Sequence, residues 1–167
     1  MILETPRLLF ATWEAEDWKE FRDLTSDPVV VRYLGTGETW SEERRQEFVT
    51  RQQRNWQERG FCLWKLLERA TERWIGICGL QPLPESSEIE IGWWLTPVYW
   101  GRGLATEAAR RALAYGFEVS KLRRIVAMAQ PANRASVRVM EKIGMKFGKE
   151  IVHKGIPVVL YVVTFQG

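Results

Sequence analysis

The chain has 167 residues, of which 46% are hydrophobic and 27% charged, and it carries a net charge of +3. It is too apolar for a disordered chain, long enough to bury the core of one domain, and lacks the run of roughly 20 apolar residues that a membrane helix needs. Residues 1–98 hold 12 Lys/Arg against 17 Asp/Glu, whereas residues 99–167 hold 12 against 4. That split suits either a basic nucleic-acid face or a protein that seats a polyanion with one half and a cation with the other.

The start, Met1-Ile-Leu-Glu-Thr-Pro-Arg, lacks the basic-then-apolar order of a signal peptide, so a cytoplasmic location is expected. Arg7–Thr12 reads as a first strand. Glu14–Thr25 reads as a helix, with acidic residues in its first turn and Trp18, Phe21 and Leu24 at helical spacing. Pro28–Leu34 is a short helix or a loop. Ser41–Arg59 is a polar helix with Phe48 and Trp56 on a narrow apolar stripe, and Gly60 ends it. Phe61–Leu67 and Trp74–Leu80 read as strands carrying the only two cysteines, Cys62 and Cys78, as buried thiols. Glu88–Leu95 alternates, which puts Glu88, Glu90, Gly92 and Trp94 on one face and Ile89, Ile91, Trp93 and Leu95 on the other. Leu104–Glu118 has the clearest helical period, with Glu107 and Arg111 at the spacing of an ion pair. Arg124–Ala129 follows as a strand, then a helix from Asn133, its N-cap, to Ile143, with Gly144 at its end. Met145–Val152 and Pro157–Phe165 close the chain as strands. His153, the only histidine, rules out a zinc site built on paired histidines. No metal is expected. The basic residues are dispersed along helices without an RNA-binding motif, so no nucleic-acid partner is expected either.

The stretch Glu90-Ile-Gly-Trp-Trp-Leu-Thr-Pro-Val-Tyr-Trp-Gly-Arg-Gly-Leu-Ala-Thr-Glu-Ala carries the chemistry. A strand ends, a turn holds Gly101 and Gly103, and a helix begins at once. Successive backbone N–H groups can converge there on an anion, backed by the positive end of the helix dipole and by Arg102. The turn is not a Walker loop, and Thr106 stands where the dinucleotide fingerprint needs its third glycine.

Pro97-Val-Tyr-Trp-Gly-Arg-Gly-Leu-Ala-Thr-Glu-Ala resembles the acetyl-CoA motif of the GNAT N-acetyltransferases, and in particular the branch of ribosomal-protein N-terminal acetyltransferases (RimJ/RimL-like). Thr5-Pro-Arg-Leu-Leu, Ile91-Gly-Trp-Trp-Leu and Asn133-Arg-Ala-Ser-Val-Arg-Val-Met-Glu-Lys-Ile-Gly-Met are similar to that branch in the same order. The resemblance implies an α/β (α+β) GNAT fold, a mixed and mostly antiparallel sheet of about seven strands flanked by about four helices. It implies acetyl-CoA as co-substrate and a primary amine as acceptor, in one domain acting as monomer or homodimer. The pyrophosphate would sit on the backbone of Gly101, Arg102, Gly103, Leu104, Ala105 and Thr106. The pantetheine arm would run beside Trp93, Trp94 and Leu95. Asn133 would touch the arm, and Ser136 would lie near the sulfur.

The sequence departs from the family where many relatives keep a tyrosine acid, since Met140 stands there, and where some keep a glutamate base, since Met128 stands there. Glu90 is the candidate base, directly or through water, or else a solvated structural carboxylate. Ser136 is the candidate donor to the departing thiolate, or else a helix-capping residue. Tyr33, Trp40 and Trp94 are the aromatic residues expected to line the acceptor site. The competing reading is an acyl-CoA-binding domain of the same fold without catalysis.

Overall fold

The computed structural model of the chain describes residues 3–84 and 86–167. Among these residues eight strands form one sheet in the order β1-β2-β3-β4-β5-β6-β8-β7. They are β1 (Leu3–Glu4), β2 (Leu8–Ala11), β3 (Leu63–Glu68), β4 (Trp74–Pro82), β5 (Ile89–Leu95), β6 (Arg124–Ala129), β7 (Lys146–His153) and β8 (Ile156–Thr164). All neighbours are antiparallel except β5 and β6. The expected seven strands become eight because Leu3 and Glu4 pair with Phe10 and Leu9 across the Thr5-Pro6 turn. Two residues carry no readable alternation.

Among the described residues the five α-helices are α1 (Arg22–Thr25), α2 (Pro28–Val31), α3 (Glu42–Arg59), α4 (Leu104–Glu118) and α5 (Arg134–Lys142). The long helix expected over Glu14–Thr25 is instead a 3₁₀ turn, Ala15–Trp18, followed by the single turn α1. Packing overrides helical period here. Trp13 and Phe21 both insert into an aromatic cluster beneath α3, and Trp13 also donates its indole N–H to the Leu63 carbonyl at 2.5 Å. By contrast α4 has the expected limits and α3 differs from them by one residue, Ser41 being its N-cap. The Ser41 hydroxyl accepts from the Arg44 amide, and Gly60 ends α3 in the left-handed conformation.

α4 packs on β4 and β5 on one face of the sheet, with Ala108, Ala109 and Ala112 fully buried against it. α3 and the 3₁₀ segment cover the other face. There Phe21 is stacked on Phe48 at 5.1 Å and on Trp74 at 5.6 Å, while Trp13 and Trp40 meet it edge-on. Cys62 and Cys78 are buried and unpaired, and burial pushes both thiols up, so neither is a ready nucleophile. Among the described residues no helix is long and apolar enough to cross a membrane.

Candidate active site

The parallel contact between β5 and β6 is limited to one partner pair, Glu90 and Val126. Past that point β5 stays on β4 as far as Leu95, and β6 stays on β8 as far as Ala129. The sheet is therefore split between the C-terminal ends of β5 and β6. The phase of the β4–β5 ladder tells which backbone groups face the split. The Thr96 N–H donates to the Ile75 carbonyl at 2.8 Å, and antiparallel pairing alternates along the strand. Gly92 and Trp94 thus turn their backbone groups to β4, while Trp93 and Leu95 turn theirs toward β6. The Leu95 carbonyl is already engaged, because the Trp100 indole N–H donates to it at 2.8 Å. Trp93 N–H and C=O and the Leu95 N–H are left facing the opening.

β5 leads through a 3₁₀ turn, Pro97–Tyr99, to the glycine turn and α4. Gly101 and Gly103 have φ of +74° and +75°. L-residues with a Cβ enter that region only at a steric cost, which is why glycine recurs at these two positions. The amides of Tyr99 and Trp100 are spent inside the 3₁₀ turn, and the first intrahelical bond is Glu107 N–H to the Gly103 carbonyl at 3.0 Å. Among the described residues, none of the amides from Gly101 to Thr106 donates to a protein acceptor. A row of backbone donors at a helix N-terminus without acceptors is the arrangement that binds a phosphate or another anion.

An unexpected contact holds this turn from behind. Arg7 donates Nη1 to the Arg102 carbonyl at 2.8 Å and Nε to Glu107 Oε2 at 2.7 Å, and the Thr5 hydroxyl donates to Glu107 Oε1 at 2.6 Å. Glu107 therefore pairs with Arg7 rather than with Arg111, the partner expected from helical spacing. Burial by itself would raise the Glu107 carboxyl, but the hydrogen bonds from Thr5 and Arg7, with the charge of Arg7, outweigh it and hold the group below the usual range. The pair Thr5 and Arg7 was visible in the sequence only as a motif without a task. An open cleft of about 540 Å³ lies on this side, lined by Thr5, Arg7, Gly103, Glu107, Arg110 and Arg111 among others.

Across the split, Asn133 caps α5 by accepting from the Ser136 amide at 3.3 Å, which leaves its own NH₂ group without a partner among the described residues. The Ser136 hydroxyl is half-buried and makes no protein hydrogen bond among those residues. Met140 is only 1% exposed and belongs to the core, and Met128 lies on β6 opposite Leu160. Neither thioether can move a proton.

Glu90 shares a sheet face with Trp94, as the alternation required, and Gln81 on β4 donates to its carboxylate at 2.9 Å. Burial pushes the Glu90 carboxyl above the usual carboxylate range, against the opposing pull of the Gln81 hydrogen bond and the Lys154 charge. Trp94 packs on Trp40 at 5.2 Å and on Phe48 at 5.8 Å. The segment between α2 and α3 is fastened to the end of β6 by Gln130, which donates to the carbonyls of Tyr33 and Gly35 at 3.3 and 3.1 Å. Sequence reasoning passed over Gln130, Gln81 and the Trp100 indole, since each acts across a separation or a turn that no local pattern marks.

A family model described as an acetyltransferase (GNAT) domain matches residues 7–146. The chain belongs to the GNAT acetyltransferase family. It is 35% identical to the uncharacterized N-acetyltransferase YnaD of Bacillus subtilis over 93% of this chain and 90% of that one. It is 28% identical to the spermidine N(1)-acetyltransferase of Escherichia coli K12, covering 84% of this chain and 74% of that one. The crystal structure of a GNAT-family acetyltransferase from Bacillus anthracis superposes with a TM-score of 0.81 at 32% identity, over 98% of both chains. The chain is accordingly an acetyl-transferring enzyme of mixed α/β GNAT fold.

Proposed function

We propose that this acetyltransferase holds acetyl-CoA across the split between β5 and β6 and passes the acetyl group to a primary amine by direct attack. The observation that carries the reading is the row of unpaired amides from Gly101 to Thr106 beside two diverging strand ends. The pyrophosphate takes the amides of Gly101, Arg102, Gly103, Leu104, Ala105 and Thr106, with Arg102 adding charge from the rim. The pantetheine arm pairs with Trp93 and the Leu95 N–H on one bank and with the Asn133 side chain on the other. Trp94 contributes its ring to the acceptor side rather than its backbone to the arm. Ser136 donates to the departing thiolate. No metal takes part, and one domain carries the whole site.

The acceptor follows from the weakness of the acid and base. Amine attack needs the neutral amine. A peptide α-amine, with a pKa of about 7.7–8.0, is roughly one-fifth neutral near pH 7.4, whereas a lysine-like amine at about 10.4 is neutral about one part in a thousand. Supplying the neutral lysine costs roughly 4 kcal/mol, a burden that a site with only Glu90 meets poorly. A protein or peptide N-terminus of the RimJ/RimL kind is therefore favoured over a polyamine, although a relative is named for spermidine. Glu90 takes the proton, directly or through one water. The buried Met140 favours a second reading, an acyl-CoA-binding protein without turnover.

One experiment separates these. Purified protein is offered acetyl-CoA with peptides bearing free or blocked N-termini, with spermidine and with small amines, and released thiol is recorded. Turnover confined to free α-amines is expected. Turnover of spermidine alone would overturn the acceptor class, and CoA binding without turnover of any amine would establish the second reading.

A further inference from the structure

We propose that Arg7 is a positioning residue for the phosphate seat, because it aims the Gly103 N–H at the bound pyrophosphate by holding the Arg102 carbonyl from behind. The inference rests on the reading that residues 101–106 take that pyrophosphate.

A peptide unit is planar, and its C=O and N–H point in opposite directions. The Arg102 carbonyl is drawn toward Arg7 Nη1 at 2.8 Å, so the N–H of the same peptide, on Gly103, points away from Arg7 to the far side of the turn. Gly103 sits at φ +75° with no side chain to fix the peptide by packing, and the turn alone does little to stop that peptide from rotating. Arg7 supplies the missing constraint. Its guanidinium is itself held: Nε and Nη2 grip Glu107 Oε2 at 2.7 and 2.6 Å, and the Arg7 amide donates to Glu107 Oε1 at 3.1 Å. Thr5 occupies the same carboxylate oxygen. Glu107 thus anchors Arg7 to the first turn of α4 as Arg7 anchors the turn ahead of it. The geometry also decides which side of the turn takes the anion. The Arg7 side presents the Glu107 carboxylate, while the opposite side presents the amide. A lysine at position 7 could neutralise Glu107, but it lacks the planar fork that grips the carboxylate and the Arg102 carbonyl together.

The test is calorimetric titration of the full chain with CoA, together with thermal melting and steady-state kinetics. Arg7→Ala is expected to weaken CoA binding about 10- to 100-fold, the range for losing a charged hydrogen bond, and to raise the KM for acetyl-CoA. At saturating acetyl-CoA its kcat should stay within about twofold of wild type. Arg7→Lys should fall between wild type and Arg7→Ala. Glu107→Gln should weaken binding by itself yet add nothing in the Arg7→Ala background, since it acts only through Arg7. Arg7→Lys binding like wild type would overturn the proposal by showing that charge alone suffices. Equal losses in kcat and in kcat/KM, or additive effects of the two substitutions, would also overturn it. If Arg7→Ala does not fold, Arg7→Lys and Glu107→Gln carry the same test. Wild-type protein that fails to bind CoA would remove the phosphate seat itself, whereas wild type and Arg7→Ala binding alike would remove the role of Arg7 alone.

Discussion

The two ends of the split sheet are built by opposite means. At the end proposed for the cofactor the groups open to a ligand are backbone amides, contiguous from Gly101 to Thr106 and shaped by two positive φ angles. At the end proposed for the acceptor the groups are side chains brought from separate segments: Trp94 and Glu90 share one sheet face, and Trp94 is backed by a largely buried aromatic cluster of Trp13, Phe21, Trp40, Phe48 and Trp74. A backbone seat tolerates almost any side chain that keeps its conformation, and it recognises what every acetyl-CoA shares. A side-chain pocket changes with each substitution, and it is where a choice among amines has to be made. The contrast predicts that damage at one end should leave the other working.

The largest expected effect is at the glycine turn. Gly103→Val places a branched residue at φ +75°, where even an unbranched one costs about 1–2 kcal/mol, and its Cβ would come to 3.6 Å from Arg7 Nη2. CoA binding by calorimetry is expected to fall by more than about 100-fold, because the left-handed turn that lines up the amides is no longer favoured. Arg102→Ala, which leaves the backbone intact, should cost only about several-fold. Wild-type affinity in Gly103→Val would place the phosphate elsewhere and end the comparison.

Next comes the aromatic cluster. Phe21 is fully buried and touches Trp13, Trp40, Phe48, Trp74 and Trp94. Phe21→Ala should destabilise the fold by about 3–5 kcal/mol in denaturant titration. In the protein that remains folded, KM for the acceptor should rise more than KM for acetyl-CoA. An equal rise in both would mean that the two ends are mechanically coupled.

The smallest effect concerns Glu90, and its sign depends on pH. Burial raises its carboxyl in the folded state, so the folded protein holds a proton more readily than the unfolded chain. Stability tied to this group is full below the unfolded carboxyl pKa and declines as pH rises through the raised folded value. Glu90→Gln should therefore melt at the same temperature or slightly higher at neutral pH, with any gain absent near pH 4. Its rate should suffer most at low pH and recover as pH passes the pKa of the acceptor amine, where the base is no longer needed. A rate defect constant from pH 6 to pH 9 would leave Glu90 a structural carboxylate.

α4 and β6 were readable to the residue, since one has a clean helical period and the other a compact apolar run between polar ends. The α3 helix announced its C-terminal glycine cap, and the buried cysteines and the glycine turn ahead of α4 were equally legible. Signals of this kind are local: a periodicity, a cap or a glycine pair depends on neighbours within a turn or two of chain. The same local reasoning overran at Glu14–Thr25, where Phe21, alone of the three periodic residues, reaches into the aromatic cluster. It also assigned Glu107 to Arg111, although the helix presents that carboxylate to Arg7, 100 residues away in the chain. What the chain determined by itself was most of its elements and the glycine turn of one continuous segment. Only the tertiary structure decided where the sheet opens, which strand groups face the opening, and that Arg7, Gln81 and Gln130 reach Arg102, Glu90 and the Tyr33–Gly35 backbone. Those facts depend on contacts between distant segments, and the energy of such contacts leaves no periodic trace along the chain.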